Sequence, residues 1–123
     1  MRVKGVSWVG VHTEQFSAMA GFFRDVVGLD VTVEEQDFIV LRMPNGDQLE
    51  IFGPDGPNPA EQFAHNDIVA GLLVDDIDAA TAELLHAGIE RVGQRQTTGG
   101  GYSWQHFRAP DGKVFELCYD PER

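Results

Sequence analysis

Two periods of apolar residues alternate along this chain, and their order repeats. A largely apolar run at residues 6–11 reads as a strand, after which Phe16, Met19, Ala20, Phe23 and Val27 recur at the spacing of one helical face. Thr13 is placed to cap that helix and Gly28 to end it. Strands are predicted next at 29–33 and 38–42, then one carrying Glu50 between Leu49 and Ile51. The second half follows the same order. A strand at 68–74 precedes a helix whose face is Ile77, Ala80, Leu84 and Leu85, with Asp75 or Asp76 as cap and Gly88 as stop. Strands at 89–92 and 102–108 follow, and a last one carries Glu116 between Phe115 and Leu117.

The repetition extends to individual residues. Arg42-Met43-Pro44-Asn45-Gly46-Asp47-Gln48-Leu49-Glu50-Ile51 aligns with Arg108-Ala109-Pro110-Asp111-Gly112-Lys113-Val114-Phe115-Glu116-Leu117. Asn-Gly and Asp-Gly are strong hairpin signals because both positions tolerate positive φ, so each segment predicts strand, tight turn and strand. Each half therefore reads β-α-β-β-β. The expected fold is α+β, two βαβββ modules in tandem, at about 5–53 and 68–120. The turn-rich stretch at about 54–67, with Pro54, Gly56, Pro57, Asn58 and Pro59, links them. Neither half has enough core to stand alone, so residues 1–123 are read as one domain.

Charge narrows the partners. Twenty acidic against nine basic side chains give a net charge of −11, spread over both halves, which argues against nucleic-acid binding. No apolar run is long enough to cross a bilayer, and residues 1–5 lack the apolar core of a signal peptide. The lone cysteine, Cys118, cannot form an intrachain disulfide and fits a reducing compartment. A cytoplasmic location is the expectation.

Three runs, in order and on the repeat, resemble the vicinal oxygen chelate superfamily of glyoxalases, bleomycin-resistance proteins and dioxygenases. They are Phe22-Phe23-Arg24-Asp25-Val26-Val27-Gly28-Leu29, Val74-Asp75-Asp76-Ile77-Asp78-Ala79, and Pro110-Asp111-Gly112-Lys113-Val114-Phe115-Glu116-Leu117. The resemblance implies strands that curl into a cleft, usually within a homodimer. It also implies a divalent metal held by one side chain from each first strand and one from each last strand. The last-strand positions fall on Glu50 and Glu116. The first-strand positions fall on Trp8 and Val69, neither of which binds a metal. No cofactor is therefore expected, with an irregular divalent-metal site as the alternative.

Strand alternation places Trp8 and His12 on one face, and Tyr102, Trp104 and His106 on one face of another strand. These five are candidate ligand-binding residues, the aromatics forming a wall for a planar or cationic small molecule, with sheet packing or a dimer contact as the plain alternative. Glu50 and Glu116, flanked by apolar residues, face solvent, pair with Arg or His, or face the cleft as acid/base groups. Gly99-Gly100-Gly101 lacks the Lys-Ser/Thr of a phosphate loop, and Gly5-Val6-Ser7-Trp8-Val9 misses the nucleophile elbow. Cys118 reads as a small packed hydrophobe, His65 falls in the link and His86 on the outer side of the second helix. The expectation is a small-molecule-binding protein without the standard metal set. The alternative is a metal-dependent lyase, isomerase or dioxygenase.

Overall fold

Strand β1 (Val3–His12) starts the chain and alternates its side chains between two apolar layers. Val9 and Val11 pack with the first helix, whereas Trp8 joins a cluster on the opposite face. Helix α1 (Phe16–Gly21) follows, its last turn widening into a π-helical segment at Phe22–Val26. There Val27 N donates to Phe22 O and Gly28 N to Phe23 O. The expected continuous α-helix from Thr13 to Gly28 is thus shorter and differently wound. Thr13 Oγ1 accepts from Gln15 N at 3.0 Å one turn ahead of the helix, and Gln15 takes the cap position. Gly28 ends the segment at φ +85°, a backbone state that glycine adopts without steric cost.

Strands β2 (Asp30–Glu35), β3 (Phe38–Arg42) and β4 (Gln48–Phe52) complete the first half. In the second half β5 (Ile68–Val74) leads to α2 (Ile77–His86), whose cap is Asp76, accepting from Ala79 N at 3.0 Å. Strands β6 (Glu90–Thr97), β7 (Ser103–Arg108) and β8 (Val114–Tyr119) follow. This computed structural model describes residues 1–57, 62–64 and 66–123; Asn58, Pro59 and His65 of the expected link lie outside them. Among the described residues, no helix is long and apolar enough to cross a membrane.

The eight strands form one sheet in the order β2-β3-β4-β1-β5-β8-β7-β6, so each half contributes four adjacent strands. The halves meet where β1 and β5 run antiparallel. Trp8 pairs with Gly71 there and Gly10 with Val69, symmetrically about the pair Val9 and Ala70. Both helices cover the same sheet face. Ala20 of α1 packs on Ile39, Leu41, Leu49 and Ile51, while Ile77 and Ala80 of α2 pack on Val74, Phe107 and Leu117. Period-two alternation therefore forces Glu50 and Glu116, neighbours of those core residues, onto the other face.

The repeated turns are identical in bonding but are not the double-positive turns expected from Asn-Gly and Asp-Gly. Gly46 N donates to Met43 O and Gly112 N to Ala109 O, and only the glycines take positive φ, at +94° and +93°. Pro44 and Pro110 sit at the second turn position, where their fixed negative φ excludes the mirror-image turn. Asn45 Oδ1 and Asp111 Oδ1 each accept a backbone N–H two residues on, from Asp47 and Lys113 respectively, both at 3.0 Å.

Candidate functional site

Glu50 and Glu116 each face a glycine across a parallel strand pair: Gly10 opposite Glu50 and Gly71 opposite Glu116. Both glycines make room for side chains. A methyl group at Gly10 would lie 2.2 Å from Trp8 Cη2, and one at Gly71 would lie 2.6 Å from Cys118 Sγ and 3.2 Å from Glu116 Oε1. Trp8 uses its space to lay its indole along the strand, so that Nε1 donates to Glu50 Oε2 at 2.6 Å.

Glu116 is held on both oxygens. Cys118 Sγ donates to Oε1 at 2.9 Å, and His106 Nε2 stands 2.9 Å from Oε2. That His–Glu approach has the distance of an ion pair but not the alignment of a hydrogen bond. His106 and Glu116 are direct register partners on β7 and β8, which fixes the contact by strand pairing alone. Burial, then the nearby Glu116 carboxylate, pushes the Cys118 thiol above its usual range. Burial does the same to the Tyr102 phenol.

Among the described residues, Glu50 differs from Glu116 in having one oxygen uncommitted. Its carboxyl is pushed up to about 7, chiefly by burial. The Trp8 N–H opposes the shift, the charge of Glu116 adds to it, and His106 opposes it more weakly. A carboxyl in this state exchanges its proton near neutrality.

The two glutamates line one chamber of about 230 Å3 with Trp8, Phe52, Gln62, Tyr102 and Trp104. Glu50, Tyr102 and Trp104 also line a second, outer chamber of about 430 Å3. Its other walls include Arg42, Gln48, Thr98 and Gly100, together with Asp120 and Glu122 after β8. Of the residues singled out in the sequence, Glu50, Glu116, Trp8, Tyr102 and Trp104 come together in the inner chamber. His106 stands behind them, its ring edge-on to Trp8 at 6.4 Å. His12 lines neither chamber; its ring lies 5.6 Å from that of Phe63. Sequence reasoning missed Phe52 and Gln48, although each stands two residues from Glu50 and so shares its face; Cys118 packs in the apolar cluster as expected and also donates to Glu116.

The donor set does not fit a divalent ion. The first-strand positions, Trp8 and Val69, sit two residues before the glycines that face the glutamates. Val69 has no donor atom, and the indole of Trp8 offers a proton where a metal needs a lone pair. Glu116 has both oxygens engaged. Among the described residues, no three His, Cys, Asp or Glu side chains are grouped so as to hold a metal.

A family model of the Glyoxalase/Bleomycin resistance protein/Dioxygenase superfamily matches residues 5–117, and the chain belongs to that superfamily. Among solved structures, the Mn(II)-bound glyoxalase from Novosphingobium aromaticivorans is similar at 25% identity and TM-score 0.76, over 97% of this chain and 40% of that one. Methylmalonyl-CoA epimerase from Mycobacterium tuberculosis shares 19% identity at TM-score 0.71, over 98% of this chain and 91% of that one. A superfamily member from Vibrio splendidus 12B01 shares 19% identity at TM-score 0.66, over 91% of this chain and 96% of that one. At 19% identity the likeness is one of fold. No curated protein matches.

Proposed function

We propose that the cleft binds a small organic molecule between aromatic walls, with Glu50 as its ionisable contact and no metal in the standard position. The observation that carries this reading is the inner chamber: Trp8, Phe52, Tyr102 and Trp104 enclose a space whose polar lining is led by two carboxyl groups, of which Glu50 is pushed up to about 7 by burial. An aromatic or aliphatic body gains from the apolar walls, while the proton on Glu50 offers a hydrogen bond below about pH 7. A cationic ligand is served best above that pH, once Glu50 is charged. His106 and Cys118 hold Glu116 in place, and His12 stands outside this arrangement. A second copy of the chain, in the cytoplasm, belongs to the same reading.

A thermal-shift screen tests it, using neutral aromatics, aryl carboxylates and aryl amines with fluorescence of Trp8 and Trp104 as a second readout. A ligand at a hundredfold its Kd should stabilise the fold by about 2.7 kcal/mol. Absence of any shift and any quenching across the screen would remove the proposal. Stoichiometric metal retained by the native protein, and lost in Glu50→Gln, would reverse its metal-free part.

The proton affinity of Glu50 supports a second reading, acid/base catalysis by Glu50, with Glu116 held beside it by Cys118. Solved neighbours described as methylmalonyl-CoA epimerase indicate that this fold carries isomerases. Solvent-deuterium uptake into a bound carbon acid, absent in Glu50→Gln, is its signature.

A further inference from the structure

The duplication gives every residue of one half a counterpart in the other, and one pair has diverged in use. Arg42 and Arg108 occupy equivalent places, each ending the third strand of its half just before the Pro-Asn/Asp-Gly turn. Arg108 serves the fold. Its Nη1 donates to Gly112 O in the turn at 3.1 Å, and its Nε stands 3.9 Å from Glu90, its cross-strand partner. Arg42 has the same acceptors available, Gly46 in its turn and Asp30 as its cross-strand partner. It uses neither.

Among the described residues, the guanidiniums of Arg42 and Arg91 have no hydrogen bond and no ion pair, while Arg2, Lys4, Arg24, Arg95, Arg108, Lys113 and Arg123 are all paired; of the two, only Arg42 lines the cleft. It lies on the cleft face beside Gln48, its register partner, and both line the outer chamber whose wall continues through Glu50 into the inner one. Arg42 is exposed at the mouth of the candidate site, so its guanidinium is free to meet an anionic group arriving there. An occupied site supplies the missing partner.

We infer that Arg42 receives a carboxylate of the ligand whose apolar body occupies the inner chamber, so that the ligand class is a small aryl or aliphatic monocarboxylate. This rests on the reading of the cleft as a small-molecule site. A planar guanidinium pairs a carboxylate through two parallel hydrogen bonds. Asp120 and Glu122 on the same wall repel any anion, a doubly charged group such as a phosphate about twice as strongly as a carboxylate, which favours the singly charged ligand.

The test compares phenylacetate with phenylacetamide, which share shape but not charge, by calorimetry and by the indole N–H resonances of Trp8 and Trp104. The native protein should bind the acid about tenfold more tightly, the usual worth of one charge-assisted pair, and less so as salt rises. Arg42→Gln should bring the two compounds to parity with the amide unaffected. Arg108→Gln should keep the preference while lowering the melting temperature. Equal binding of acid and amide by the native protein, or a preference that survives in Arg42→Gln, overturns the assignment while the cleft reading stands. If neither compound moves the indole resonances, the cleft reading itself fails and the assignment goes with it. Tighter binding of phosphate monoesters than of the acid also overturns it.

Discussion

The indole of Trp8 reaches past Gly10 to donate to the Glu50 carboxylate at 2.6 Å, although the direct register partner of Trp8 is Gln48. The bond therefore spans a step along the strands as well as the gap between them. It is available only because Gly10 has no side chain, and among the described residues no other hydrogen bond eases the burial of Glu50.

The pH dependence of stability follows from Glu50. Its folded-state value of about 7 lies above the ordinary 4.5, so the folded protein holds a proton that the unfolded chain has released. Stability contributed by that proton is present below about pH 4.5 and is lost as pH rises through 7, by about 3 kcal/mol in all. Chemical denaturation at several pH values should show the decline, and Glu50→Gln should flatten it. An unchanged slope in the variant would place the titration elsewhere.

Trp8→Phe keeps the ring and removes the donor. Glu50 then loses the contact that opposes its upward shift, so its midpoint should move above 7, read by carbon NMR of the side-chain carboxyl. The fold should lose about 1 kcal/mol. A midpoint that stays in place would show that the indole bond has no electrostatic weight.

Gly10→Ala pushes a methyl group into the indole. We expect a loss of about 1–3 kcal/mol and a shift in Trp8 fluorescence, since the ring must leave Glu50 to make room. An unperturbed spectrum would mean that the strand yields instead of the ring.

Cys118 should resist alkylation by iodoacetamide in the folded protein at pH 8 and react fully in denaturant. It is buried, its proton is committed to Glu116, and its thiol is held above the usual range. Rapid labelling of the native protein would contradict that environment.

Gly46→Ala and Gly112→Ala should cost similar amounts, about 1–2 kcal/mol each, because both turns require positive φ at that position. Melting temperatures of the two variants compare the halves directly.

The modules were legible because each apolar period is bounded by its own glycine or cap. The strands at 38–42 and 68–74 match β3 and β5 to the residue. The paired glutamates were legible as well, since alternation between Leu49 and Ile51, or Phe115 and Leu117, leaves them one face. What sequence could not give was depth across strands. That Gly10 and Gly71 face the glutamates is a matter of register between segments far apart in the chain. The turn type was misjudged because the dipeptide signal was weighed without the preceding proline. Arg42 stood out only against its twin, for nothing in its own neighbours distinguishes it.

Three inter-strand steps separate Glu50 on β4 from Glu116 on β8, with β1 and β5 between them. In a flat sheet that is about 14 Å, too far for two side chains to share a small chamber. They share one of about 230 Å3. The gap between the carboxyl groups is thus governed by how strongly four strands bend, and the bend is shared between the two halves across the Val9–Ala70 seam. A ligand that fits tightly between the glutamates acts as a wedge on that curvature, so occupancy should be felt as altered amide exchange along β1 and β5, well away from anything it touches.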